Sequence, residues 1–176
     1  MKIIYRLLIA TLALLILSQF AYANEECANE DTKQILEVFV HAIKLNESFK
    51  SALINKNENE YRPLRVQVES YSEEKLFPCV KHATAILSKQ GNKEVLQKLM
   101  QVVVSFNNSA DETLSTSLGS IFARNPNEIE LSIKWFPKPE RDIITKSVRT
   151  GWLNVKKDFD TNLVLERDAR IQRLDF

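Results

Sequence analysis

Glycine is nearly absent from this 176-residue chain, with three in all, at positions 91, 119 and 151. That scarcity argues against a phosphate-cradling loop. Histidine and cysteine number two each, His41, His82, Cys27 and Cys79, so a metal centre or a nucleophilic triad has few residues to draw on. The chain has no G-x-S-x-G, H-E-x-x-H, Walker loop or dinucleotide fingerprint. Clear period-2 runs are scarce as well. Charge of one sign is not in excess: 24 Lys and Arg stand against 23 Asp and Glu. A near-neutral chain lacks the electrostatic footprint of a nucleic-acid binder.

What is present begins at the N-terminus. Lys2 and Arg6 precede an apolar run, Leu7 to Leu17, interrupted only by Thr11, and Ala21-Tyr22-Ala23 follows. Charge, apolar core and A-x-A together predict a cleaved secretory signal over 1–23. The run is short for a membrane span, which needs roughly 20 residues. Removing 23 of 176 residues leaves 153, enough for one domain, 24–176, with its own core. Lys2 and Arg6 leave with the signal, so the mature balance is 22 against 23, about −1. Export to the periplasm is expected first and full secretion second, with no stable membrane anchor once the signal is cut.

In an oxidising compartment a lone cysteine pair points to a disulfide, Cys27–Cys79. A lipid anchor would need its cysteine directly after the cut, and Asn24, Glu25 and Glu26 intervene. A bridge spanning 27 to 79 would stabilise by roughly 4 kcal/mol on the chain-entropy model.

The body reads as helix throughout. Ile35, Phe39, Ala42, Phe49 and Leu53 form one stripe of a helix over about 30–55. NKNENEY reads as a loop. PLRVQVES, 63–70, alternates like a strand but has no partner to pair with, and is read as the start of a helix. Cys79, Val80, Ala83, Ile86 and Leu87 make the next stripe, with Gly91 as a left-handed stop. Asn92 suits an N-cap for a helix that turns Val95, Leu96, Leu99, Val102, Val103 and Phe106 inward. Ser109 with Glu112 matches a capping box, and Gly119 behind it suits a close helix crossing. Asn125-Pro126 opens another helix, and Pro139 a longer one carrying Ile144, Val148, Gly151, Trp152 and Val155. The tail from 160 reads as a loosely packed C-terminal helix held by Leu163, Ile171 and Leu174. The expected fold is all-α: an irregular single-domain bundle of about six to seven helices.

Three weak constellations bear on chemistry. Cys79 and His82 share a helical face, and Cys27 and His41 would complete a set of four metal ligands. The bland alternative is a disulfide beside a surface histidine, and no metal or other cofactor is expected. Ser72-Glu73-Glu74-Lys75 matches S-x-x-K, with Ser105-Phe106-Asn107 and Arg149-Thr150-Gly151 as loose echoes of the other elements of penicillin-recognising enzymes. That third element belongs on a strand, whereas 149–151 falls in a helical pattern. The third constellation is aromatic: Trp135, Phe136 and Trp152 are the candidate partner-binding residues, with Phe136 and Trp152 also fitting the core.

The leading expectation is therefore a non-enzymatic protein–protein interaction module, of accessory, inhibitor or immunity type, bound to another envelope or exported protein and not to nucleic acid. Two alternatives stand beside it. One is a cell-envelope hydrolase using Ser72/Lys75 or Cys79/His82. The other is a periplasmic carrier of a small apolar ligand.

Overall fold

A computed structural model describes residue 27 and residues 31–107, 109 and 111–174 of the chain. The expected signal segment, 1–23, and its expected cleavage site lie outside the described residues. Among those described, the chain is a bundle of seven helical rods without a strand, as the 3.6-residue periodicity predicts. None of these helices is long and apolar enough to cross a membrane.

Helix α1, Thr32–Ile54, starts on Asp31, whose Oδ1 accepts the Lys33 N–H at 2.9 Å. It buries Ile35, Val38, Phe39, Ala42, Asn46 and Ala52. It stops in a tight turn: the Lys56 N–H donates to Leu53 O at 3.1 Å, and the Asn57 N–H to Ala52 O at 3.2 Å. This is a Schellman closure with Lys56 at φ 54°, in the left-handed position that glycine usually takes. The loop expected over NKNENEY is thus only Asn55–Asn57. The next helix begins at Glu58, with two acids in its first turn to favour the helix dipole.

That next rod is continuous from 58 to 89 but has three parts. Helix α2, Glu58–Tyr71, accommodates Pro63. A π-helical turn, Ser72–Leu76, follows, and α3, Phe77–Lys89, completes it. The segment 63–70 is helix, and its alternating valines reflect sparse apolar content. Burial switches at the π turn: α2 buries none of its residues, while α3 buries Cys79, Val80, Ala83 and Leu87. One extra residue per turn changes which face meets the core.

The remaining helices are α4, Lys93–Ser105; α5, Thr113–Arg124; α6, Pro126–Ile133; α7, Lys138–Val155, extended by a 3₁₀ turn; and α8, Thr161–Ile171. Asn92 caps α4 as expected, its Oδ1 accepting the Val95 N–H at 3.1 Å. Three local expectations are corrected. Gly91 has no positive φ; α3 ends instead on Gln90 in extended conformation, φ −138°. The Ser109/Glu112 box does not form, because Asp111 Oδ1 takes the Thr113 N–H at 2.7 Å and Ser109 Oγ takes the Asp111 N–H. The Asn125 side chain turns away from its own helix and donates to Leu87 O at 2.5 Å, tying the end of α3 to the start of α6.

The core is one cluster from Phe39 through Leu76, Leu99, Met100, Phe122 and Ile129 to Trp152. Its tightest crossing is α5 on α7, where Gly119 meets Gly151. Helix α8 packs through Ile171 and Leu174, with Leu163 only half-buried. It is held largely by polar links. The Trp152 Nε1–H donates to Asp168 at 2.6 Å, and the buried Arg167 Nε–H to Ala123 O at 3.0 Å. Arg170 reaches Glu130 at 2.8 Å. The hydrogen bond from Glu130, with its charge, raises the Arg170 guanidinium above the ordinary value.

Candidate functional site

Helix α2 packs on α1, and a cleft of about 480 Å³ lies where this hairpin meets the start of α3 and the end of α4. Spacings of three and four residues put its walls together. Asn46, Phe49 and Lys50 come from α1, Arg65, Val68 and Glu69 from α2, and Ser72 and Glu73 from the π turn. Phe77 of α3 and Ser105, Phe106, Ser109 and Asp111 at and beyond the end of α4 close the body side.

The floor is apolar, built from Phe49, Phe77, Phe106 and Val68. Its polar groups are positioned by helix ends. Asn46 is buried, and its Nδ2 donates to Ser105 O at 2.7 Å and to Ser105 Oγ at 3.2 Å. Lys50 Nζ donates to the same carbonyl. A cation and an amide thus satisfy the C-terminal end of α4, where the helix dipole is negative. On the opposite wall Arg65 Nε donates to Glu69 at 2.8 Å. That hydrogen bond, then the charge of Glu69, raise the Arg65 guanidinium above its ordinary value. Glu73 and Asp111 add exposed carboxylates at the base.

The residues singled out in the sequence are only partly gathered here. Ser72, buried, and Ser105 both line the cleft, whereas Lys75, on the same π turn as Ser72, is not part of its wall. Arg149, Thr150 and Gly151 lie inside α7, and Gly151 is pressed against α5, so the third echo of S-x-x-K chemistry sits in a helix crossing. Cys27 and Cys79 are joined to each other, with Cα atoms 5.3 Å apart. Neither is a thiolate for catalysis or metal binding while the bridge holds. His82 has a buried Nε2 with no hydrogen-bond partner among the described residues, and His41 stacks on Tyr71 at 4.6 Å. Among the described residues no three His, Cys, Asp or Glu are grouped to hold a metal ion.

The aromatic trio is split. Trp152 is 1% exposed and Phe136 is buried, so both are core. Trp135 is 68% exposed, with Lys93 Nζ 4.0 Å above its ring. Of the three, only Trp135 is placed to meet a partner. The cleft itself was not legible as a site. Phe49 and Phe106 read as inward stripe positions, and nothing in the spacing of 63–77 marks the π turn that joins α2 to α3. The one available signal was Asn46, a polar residue in the α1 stripe.

Comparison with protein-family models, curated proteins and solved structures finds no match to this chain. The reading of the cleft rests on its geometry.

Proposed function

We propose that this is an exported helical protein that acts by binding, with the cleft between the α1–α2 hairpin and the start of α3 and end of α4 as its recognition site for a segment of another polypeptide. One observation carries this reading: an apolar floor with three phenyl rings lies beside a 14-residue helix, α2, that buries none of its own residues. Within the chain α2 packs on α1 and runs on into the π turn, and its remaining exposed face is open to a partner laid along it. The A-x-A site and the Cys27–Cys79 bridge support export, with the periplasm as the compartment. Against hydrolysis stand the separation of Lys75 from the cleft and the bridging of Cys79. A carrier of a small apolar ligand is the second reading, since the volume and phenyl lining also suit a small molecule.

The test places a photo-reactive amino acid at Val68 in cells exporting the protein. A polypeptide adduct at 68 that disappears with Phe49→Asp is expected. A co-purified lipid or small molecule in native mass spectrometry, with no polypeptide adduct, would move the assignment to the carrier. Hydrolysis of an envelope ester or peptidoglycan that is lost on Ser72→Ala would end the binding reading.

A further inference from the structure

We infer that a groove along the N-terminal half of α7 is an anion site that binds a phosphate group. The groove encloses about 390 Å³. Its wall on α7 is Lys138, Arg141, Asp142, Thr145, Lys146 and Arg149, and the buried Leu174, just past α8, closes the other side. It shares no residue with the α1–α2 cleft, so the two readings stand or fall separately.

The sequence gathers charge of one sign on this wall. Positions 138, 141, 145 and 149 follow at steps of three and four, so they share one face of the helix, with 142 and 146 beside it. Glu140, two positions from Lys138 and one from Arg141, falls off that face. Four of the six wall residues are cations and one is an acid, in a chain whose two signs otherwise nearly balance. Arg149 is already engaged, its Nη2 lying 3.4 Å from Ile171 O. Lys138, Arg141 and Lys146 have no ion pair among the described residues. The acids of neighbouring α6 and α8 are committed elsewhere: Glu130 to Arg170, Glu166 to Arg167, and Asp168 to the Trp152 indole. Among the described residues that leaves the exposed Asp142 as the one acid on the wall.

Arg141 gives the site its chemistry. Its Nε is buried and has no hydrogen-bond partner among the described residues. Folded proteins seldom leave a buried charged donor without an acceptor, because the lost hydration is not repaid. An oxyanion supplies that acceptor, and a guanidinium holds phosphate or carboxylate through paired N–H bonds. Charge decides between the two. A carboxylate brings one negative charge to three cations that lack partners, whereas a phosphate monoester brings about −1.5 to −2 at neutral pH. Phosphate also has a third oxygen, for which the wall offers the hydroxyl of the buried Thr145. Lys138 and Lys146 are exposed and supply mobile point charges at the rim. The same chemistry receives a free phosphate compound or the headgroup of a phospholipid.

The experiment titrates inorganic phosphate, glycerol phosphate and acetate into the disulfide-bonded protein at constant ionic strength, followed by amide chemical shifts. The phosphate compounds should shift the amides of 138–149 and of Leu174, and acetate should bind more weakly. Vesicles of phosphatidylglycerol, set against phosphatidylcholine, separate the sources. Co-sedimentation with the anionic vesicles alone assigns a lipid headgroup, and binding of the small phosphates without it assigns a free ligand. Arg141→Gln should weaken binding about tenfold or more, the equivalent of about 1.4 kcal/mol. Lys138→Gln and Lys146→Gln, at exposed positions, should each weaken it about threefold with the melting temperature unchanged. Asp142→Asn should tighten it, a gain that a purely structural Arg141 would not give. Lys81→Gln, at an exposed cation on α3, is the control and should change nothing. No binding of either phosphate compound or of anionic vesicles overturns the inference, as do equal losses at 141 and 81. So does acetate binding as tightly as phosphate. Asp175 follows Leu174 in the sequence and lies outside the described residues. Binding that appears only with Asp175→Asn would mean that the chain's own acid takes the groove, and would also overturn the inference.

Discussion

Gly119 of α5 and Gly151 of α7 lie backbone against backbone. A Cβ on Gly119 would meet the carbonyl carbon of Gly151, and a Cβ on Gly151 would meet the Ser115 carbonyl oxygen. The obstructing atoms are main chain, so the helices themselves must separate to admit a methyl group. We expect Gly119→Ala or Gly151→Ala to cost about 3 kcal/mol, the upper end of usual overpacking penalties. In a chain of this size that lowers the melting temperature by about 6–12 °C, read by calorimetry. Gly91→Ala is the control. There the nearest atom is Cδ of the flexible Glu128 side chain at 3.3 Å and φ is not positive. Its effect should stay within about 0.5 kcal/mol. Equal losses at 91 and 151 would contradict the close crossing.

Helix α8 hangs on Asp168. That carboxylate accepts from the buried Trp152 indole at 2.6 Å and lies 3.4 Å from Lys156 Nζ. Asp168→Leu leaves the indole N–H unsatisfied and should cost about 1.5–3 kcal/mol in urea denaturation. Asp168→Asn keeps an acceptor oxygen and should cost clearly less. Hydrogen exchange in Asp168→Leu should rise first in α8 and only later in α5. Uniform loss of protection would show that α8 is not a separately held element.

The Cys27–Cys79 bridge closes a loop with a sequence separation of 52. Replacing both cysteines by serine should remove about 4 kcal/mol, since the unfolded chain regains the freedom the loop denies it. Thiol counting on denatured, non-reduced protein should find none free. A midpoint in urea that is unchanged by reductant would refute the staple.

The two tryptophans should behave oppositely. Trp152→Ala empties a core position and should cost about 3–5 kcal/mol. Trp135→Ala loses only an exposed ring under Lys93, worth about 0.5–1 kcal/mol. Thermal melts of the pair check both. Matching losses would mean that Trp135 is held in the core as well.

Much of the architecture was legible because it is written in local period. Stripes such as Ile35-Phe39-Ala42 and Val95-Leu99-Val102 repeat at the helical turn, and each of them is buried. The Asn92 cap needs only residues three apart. The Gly119 crossing showed as a small residue in an apolar stripe. The caps that failed did so for two reasons. Ser109, Asp111 and Glu112 all lie within reach of the same helix end, and composition cannot rank them. Asn125 was drawn off by Leu87, 38 residues earlier.

By itself the sequence determined the fold class and the identity of the only cysteine pair, because periodicity and count are properties of the linear chain. The tertiary structure alone decided how the α1–α2 hairpin meets the end of α4, and the cleft formed there. These depend on a π turn at Ser72–Leu76 that no residue type demands. They also depend on Asn46 and Lys50 finding the carbonyl of Ser105, 59 and 55 positions away. Contacts of that range follow from how whole helices stack, and stacking is set by the summed packing of the core rather than by any one residue's preference.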